Sequence, residues 1–273
     1  MPPVEVEPRH RILASLRAAE CIRPFIHSLP GLDDGARHLE DSLEIARGAV
    51  ADGITAIAAT PHVREDFPTT SDAMEGGVRQ LSVALERAGL DLQLLPGGEI
   101  SLEQLERLSI DELRRFALGG NPTYLLLETP YRDWPPSFDL IVSRLAGHAI
   151  TPVIAHPERN RAVQTDIAKV AELVNAGALI QVTAASVDGR LGSRARTCAR
   201  KLLEAELVHM IGSDAHTAGV REVGLSSARE AVGDDALGGW LTQDVPRAVV
   251  EGGPLPPRPE IRKRRGFRLR LRR

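Results

Sequence analysis

Val153–Ile154–Ala155–His156–Pro157–Glu158–Arg159 decides how this chain is read. Three apolar residues, two of them β-branched, make a short buried strand that Pro157 stops. A histidine, an acid and an arginine crowd the point where the strand ends. Four other apolar runs finish in the same way: Thr60–Pro61–His62, Gly97–Gly98–Glu99, Gly212–Ser213–Asp214–Ala215–His216 and, less cleanly, Ile26–His27. One polar strand end is ordinary, because strands often stop near water. Five in one chain predict a ring of metal ligands on a single face, since parallel barrels build their sites at the C-terminal ends of strands.

The rest of the chain supplies that architecture. Strand patterns at Cys21–His27, Ile54–Ala59, Leu90–Leu95, Tyr124–Leu127, Pro152–Ala155, Leu179–Thr183 and Val208–Ile211 alternate with helical ones. The helices expected are Leu39–Ala51, Asp72–Ala88, one or two within Leu102–Leu118, Pro136–Gly147, Ile167–Ala176, Arg194–Glu206, Leu225–Val232 and Val245–Glu251. Gly53, Gly89 and Gly177 stand where three of them should stop. Short links and no internal repeat favour a parallel α/β barrel over an open doubly wound sheet. No G-x-G-x-x-G follows the first strand and no G-x-x-x-x-G-K-[ST] occurs, so nucleotide-binding loops are not expected.

Composition narrows the class. At 273 residues, 42% hydrophobic and 26% charged, the chain suits one globular domain. Aromatics at 3% argue against stacking platforms for nucleic acid. Cys21 and Cys198 are far apart and in no metal or redox spacing, which fits a reducing, cytoplasmic compartment. No apolar run approaches the roughly 20 residues of a membrane span. We expect a poorly defined extension over 1–21, one catalytic domain over 22–253, and a mobile basic tail over 254–273. That tail, from Arg258 to Arg273 with Glu260 its only acid, suits attraction to an anionic membrane surface or an acidic partner.

Imidazoles with carboxylates, and no thiolates, suit zinc, manganese or iron. Glu99 is placed to bridge two cations, which in such pairs stand roughly 3.5–4 Å apart and activate water for attack at phosphorus. His62, His156, Asp214 and His216 complete the shell. Arg159 and Arg221 follow two of these ligands closely enough to hold phosphate oxygens over the same mouth. Asp33–Asp34–Gly35 reads either as a tight turn or as a group near metal or phosphate. His10, His38, His148 and His209 have no place in the pattern.

Together, Leu29–Pro30–Gly31–Leu32–Asp33–Asp34–Gly35, Ala59–Thr60–Pro61–His62, Gly98–Glu99, Ile154–Ala155–His156–Pro157–Glu158–Arg159–Asn160, Gln181–Val182–Thr183 and Ser213–Asp214–Ala215–His216 resemble the bacterial tyrosine-protein phosphatases of the CpsB/YwqE type. These belong to the polymerase-and-histidinol-phosphatase (PHP) superfamily. The resemblance covers about residues 25–252. It implies the PHP fold, a distorted seven-stranded (βα) TIM-like barrel, with a site for up to three divalent metals, usually manganese. It also implies hydrolysis of phosphotyrosine on the tail of a bacterial tyrosine kinase that controls capsule or exopolysaccharide synthesis. By position, His27, His62, Glu99, His156, Asp214 and His216 fall on metal ligands, and Arg159 and Arg221 on the arginines that hold phosphate.

One departure stands out. The family opens with Asp-x-His-x-His, both histidines binding metal, where this chain has Arg23–Pro24–Phe25–Ile26–His27. Ungapped, Phe25 replaces the first histidine; with a two-residue deletion after Ser28, the second is missing. Two alternatives accompany the main reading: a phosphatase for a small ester such as histidinol phosphate, and a non-catalytic barrel that binds its partners only.

Overall fold

The computed structural model describes residues 22–216 and 224–260. Among these, nine short strands alternate with helices: β1 Ile22–Ile26, β2 Ala56–Ala59, β3 His62–Val63, β4 Gln93–Leu95, β5 Glu99–Ile100, β6 Tyr124–Glu128, β7 Thr151–Ala155, β8 Leu179–Thr183 and β9 Met210–Gly212. All named pairings are parallel, in two sheets of order β1-β2-β4 and β3-β5-β6-β7-β8-β9. β6 and β8 are buried along their whole length, as expected of parallel strands covered by helices on the outside.

The apolar periodicity forms the helices it predicts. α1 (Leu39–Ala51) turns Ile45, Ala46 and Ala49 inward, and Asp41 closes its N-terminus by accepting from the backbone N–H groups of Arg37 and His38. α2 (Ser71–Arg87) starts on a Thr70 cap and buries Met74, Leu81 and Leu85. The stretch 102–118 resolves into two helices, α3 (Leu102–Arg107) and α4 (Ile110–Arg115), each begun by a capping serine. α5 (Phe138–Gly147), α6 (Arg161–Thr165), α7 (Ala168–Asn175), α8 (Ala184–Val187), α9 (Ser193–Glu204), α10 (Ser226–Val232), α11 (Asp235–Gly239) and α12 (Val245–Glu251) follow.

Two strands predicted to end at Ala59 and Leu95 are each followed by a further short strand. Thr60 and Pro61 separate β2 from β3, and Pro96–Gly98 separates β4 from β5. Proline cannot donate to a ladder, so the chain steps sideways there and resumes in the second sheet. The step needs glycine at position 98, where a Cβ would stand 2.6 Å from Cδ1 of Phe116. The two sheets meet where Ile26 bridges Ala215 and the His27 N–H donates to the Ala215 carbonyl at 3.0 Å.

The basic tail begins differently from the expectation of a mobile segment. Gly253 accepts from the Tyr124 hydroxyl at 3.1 Å, and Pro256 accepts from the Trp240 indole at 3.0 Å. The Arg258 guanidinium lies over the Trp240 ring and donates to the carbonyl of Val208 at 2.8 Å. A paired, stacked arginine can pack where a lone charge could not. The expected extension over 1–21 and the arginines from Arg262 onward lie outside the described residues.

Candidate metal centre

Every predicted ligand sits at the end of a strand or just past it. His27 follows β1, His62 opens β3, Glu99 opens β5, His156 follows β7, and Asp214 and His216 follow β9. Pairing of β3 with β5 sets His62 directly beside Glu99. Two ligands occupy strained backbone: His156 at φ 38° and Asp214 at φ 50° lie in the left-handed region. Non-glycine residues hold that region only where surroundings enforce it, which is common at functional sites. For His156 the enforcement is visible in Glu158. Its buried carboxylate accepts from the Thr183 N–H at 3.0 Å and the Ser186 hydroxyl at 2.6 Å, pinning the turn after β7 to β8 and α8.

Three clusters of donor atoms result. Nε2 of His27 lies 3.2 Å from Oε2 of Glu99 and 3.4 Å from Oδ1 of Asp214. Oδ1 of Asp34 lies 3.4 Å from Nε2 of His62 and 3.3 Å from Nε2 of His216. Glu99, Glu128 and His62 form the third group, and Nε2 of His156 is 2.8 Å from the other Glu99 oxygen. Glu99 therefore turns one oxygen to His27 and the other to His156, an arrangement from which a carboxylate can bridge. Apart from Asp34, whose side chain is 45% exposed, these groups are buried.

Tautomers are fixed by the surroundings. Asp33 takes Nδ1 of His27 at 2.6 Å, so Nδ1 carries hydrogen and Nε2 is the nitrogen turned toward the cluster. The backbone oxygen of Asp214 takes Nδ1 of His216 at 2.9 Å, with the same effect. Asp33 also accepts from the N–H groups of Gly35 and His62, at 2.9 and 3.0 Å. Of the doublet read as either turn or site, Asp33 ties the turn and Asp34 stands beside the candidate ligands His62 and His216.

The electrostatics are those of a place built for cations. Burial alone would raise the Glu99 pKa, but His156 and His27 hold it well below the carboxylate range. Burial and the Glu99 charge push Glu128 up to about 7. Burial takes His62 down to about 4. Among the described residues, the buried nitrogens of His27 (Nε2), His62 (Nδ1) and His156 (Nδ1) have no hydrogen-bond partner. Orphaned imidazole nitrogens beside converging carboxylates are the donor set that a hard or borderline divalent cation satisfies.

Arg159 stands at the rim, its Nη2 2.5 Å from Asp214 and its Nη1 3.3 Å from the Tyr131 hydroxyl. Tyr131 stacks on His156 at 5.9 Å between ring centroids. Arg221 lies outside the described residues, and of Phe25 only the backbone is described. That backbone carries an irregularity, because the β1–β2 register shifts between Pro24 and Ile26. Sequence reading missed Glu128, which donates to the third cluster and accepts from Arg64 at 2.9 Å. Its signal was present: Glu128 closes the run 124–127 before Pro130, as the other ligands close theirs. His38 and His148 are exposed, and His209 lies away from the centre, its Nδ1 accepting from Ile180 N–H at 3.1 Å. Cys198 is buried, its thiol pushed up to about 12 by that burial.

Comparison with known proteins agrees with this geometry. A sequence profile for capsular polysaccharide synthesis proteins, CpsB/CapC, matches residues 22–238. The chain belongs to the CpsB/CapC family. It is 36% identical over 197 residues to the tyrosine-protein phosphatase YwqE of Bacillus subtilis, spanning 71% of this chain and 77% of that one. Identity to the tyrosine-protein phosphatase CpsB of Streptococcus agalactiae is 28% over 214 residues, or 76% of this chain and 87% of that protein. A solved structure from work on YwqE of Bacillus subtilis and CpsB of Streptococcus pneumoniae, described as unique metal-dependent tyrosine phosphatases, superposes with a TM-score of 0.77. It is 32% identical and covers 88% of this chain and all of its own. A probable 2-pyrone-4,6-dicarboxylic acid hydrolase of Acinetobacter baumannii, at 14% identity and a TM-score of 0.52, shares the fold alone.

Proposed function

We propose that this chain is a metal-dependent phosphatase that hydrolyses phosphotyrosine in protein. The observation that carries the reading is Glu99, which stands among buried imidazole and carboxylate donors, with Arg159 paired to Asp214 of the same group. His27, Glu99 and Asp214 would hold one cation and Asp34, His62 and His216 a second; Glu99 and Glu128, with His156 2.8 Å from Glu99, offer donors for a third. Nitrogen and oxygen donors without thiolate suit manganese as they suit zinc or iron, and the resemblance to the phosphatases favours manganese. Such cations supply Lewis acidity and an activated water. Counted through their interruptions at Thr60–Pro61 and Pro96–Gly98, the strands number seven, which supports a distorted seven-stranded PHP barrel over residues 22–253.

The chain's own groups do the positioning. Arg159 keeps guanidinium N–H groups free of Asp214 and Tyr131 to grip phosphoryl oxygens, and its charge opposes that of the transition state. The Tyr131 ring, flat on His156 and 48% exposed, offers a wall for the phenyl ring of the substrate. Asp33 and the Asp214 carbonyl hold His27 and His216 as Nδ1–H tautomers, so neither ring need reorient when metal enters. Arg221 would supply a second phosphate contact. The family description, capsular polysaccharide synthesis, supports a substrate in that process; the reading adds that it is a bacterial tyrosine kinase met in the cytoplasm, with the basic tail steering toward an acidic partner or membrane surface. No described helix is long and apolar enough to cross a membrane.

The test compares kcat/KM on a phosphotyrosyl peptide with that on histidinol phosphate, with manganese present. We expect the peptide to be preferred. A tenfold preference for the small ester would replace this reading with that of a small-molecule phosphatase.

A further inference from the structure

The mouth of the metal centre opens into two unlike grooves. On the Glu128 side, a groove is lined by Glu65, Asp66, Glu103 and Glu128, with Arg64 its only base among the described residues. On the Arg159 side lies a groove of about 550 Å³, whose walls hold Arg132, Arg159, Arg161 and Arg194 and, among the described residues, no acid. Arg161, Gln164 and Arg194 also line the next depression, which runs along α6 and α9 to Thr165, Ser193 and Thr197. The basic groove is continuous with the site because Tyr131 and Arg159 belong to both. Its wall is tied to that mouth: the Arg161 N–H donates to the Tyr131 carbonyl at 3.3 Å, and the Asn160 side chain donates to the Pro130 carbonyl at 2.6 Å.

Arg132, Arg161 and Arg194 are exposed, and among the described residues none has an ion-pair partner. In a chain of net charge −3, three unpaired guanidinium groups beside a phosphate-gripping arginine are a local reversal of sign. Unpaired arginines suit carboxylate and phosphate with their planar fork, and a groove lined by one sign focuses its field on the opposite charge. The acidic groove across the mouth disfavours the same groups.

We propose that the groove between Arg159 and the start of α9, lined by Arg132, Arg161 and Arg194, docks anionic side chains flanking the phosphotyrosine on one side. This rests on the phosphotyrosine reading and adds a substrate preference to it. The ligand chemistry is an acidic group, either a carboxylate or the phosphate of a second phosphotyrosine. The opposite flank of the peptide runs toward Glu65, Asp66 and Glu103, so the preference is directional.

The test uses the manganese-loaded full chain and four phosphotyrosyl peptides: neutral, glutamates on the N-terminal flank, glutamates on the C-terminal flank, and a neutral peptide with a second phosphotyrosine. Two exposed ion pairs should raise kcat/KM on the order of tenfold for acid on one flank and not the other, through KM and not kcat. In Arg161→Gln/Arg194→Gln the preference should fall to about twofold or less, and raised salt should weaken it in the native protein. The two anion sources are separated by whether glutamates or the second phosphate give the larger effect. Equal rates on all four peptides, or a preference that survives the double substitution in a folded protein, would overturn the proposal. Binding of a non-hydrolysable phosphonate version of each peptide, followed by fluorescence anisotropy, gives a second reading. If no peptide is hydrolysed, the phosphatase reading falls, and equal affinity for neutral and acidic phosphonates then overturns the groove independently.

Discussion

Replacing Asp33 tests how the site is held together. Its buried carboxylate accepts three hydrogen bonds, from His27 Nδ1 and the His62 N–H through Oδ2 and from the Gly35 N–H through Oδ1. Asp33→Ala orphans all three donors, and at about 1–3 kcal/mol for each buried donor the cost is on the order of 3–9 kcal/mol if little water enters. Asp33→Asn keeps one oxygen; placed toward His27 and His62, it turns an NH₂ group against the Gly35 N–H, so about half the cost should remain. Freed from Asp33, the His27 ring loses its fixed tautomer, and metal affinity should fall about 10–100-fold. Urea unfolding of the metal-free protein measures the first effect and calorimetric titration with manganese the second. Burial alone would raise the Asp33 pKa, but His27 and the two N–H groups hold it below the carboxylate range. A depressed carboxyl stabilises the fold above the ordinary carboxylate range and ceases to do so as pH falls through its folded value. The gap between native and Asp33→Asn should therefore narrow in acid. Asp33→Ala within about 1 kcal/mol of native stability, with unchanged metal affinity, would refute the reasoning.

Three further predictions follow from the same physics. Gly35→Ala puts a Cβ 2.1 Å from the His27 carbonyl oxygen, so it should destabilise by about 2 kcal/mol or more, while Gly48→Ala, in open space on α1, should stabilise by about 0.5–1 kcal/mol; equal effects in thermal melts would contradict the packing. His209 is held neutral, its pKa taken down to about 4 by burial and by Arg258. Below its ordinary value the unfolded chain binds a proton that the folded one refuses, so stability should fall by about 2 kcal/mol from pH 7 to pH 5. His209→Gln should lose less over that range; parallel losses would show that His209 is not responsible. Phe25→His, or insertion of His–Ile after Ser28, restores the family motif and should lower the manganese needed for half-maximal rate about tenfold in one of the two proteins; no change in either would mean that another group already fills the gap.

Much of the site was legible because ligand chemistry and strand ends coincide in one-dimensional order. An apolar run closed by His, Glu or Asp marks a C-terminal strand end, and parallel topology brings those ends together without further instruction. Helices with a full apolar face were equally plain, Leu39–Ala51 to the residue. What escaped was short or long-range. α6 and α8 span five and four residues, too few to show a helical period. Pro61 and Pro96 looked like strand ends, not sideways steps, because a step is defined only against the neighbouring strand. Asp34 and the docking of Arg258 on Trp240 depend on partners far along the chain, which local pattern cannot supply. Glu128 is the residue that the strand-end rule should have caught.

The central claim, that a Glu99-bridged metal centre hydrolyses phosphotyrosine, is tested most directly in one experiment. Divalent metal bound per chain and the rate on a phosphotyrosyl peptide are measured together, in native protein and Glu99→Gln, after chelation and after manganese is returned. The account predicts that the native protein loses its rate with its metal and regains both. Glu99→Gln, whose amide cannot bridge two cations as a carboxylate does, should bind fewer ions and recover less than about a hundredth of the rate. Full activity in the metal-stripped native protein, or native metal content and rate in Glu99→Gln, would contradict it.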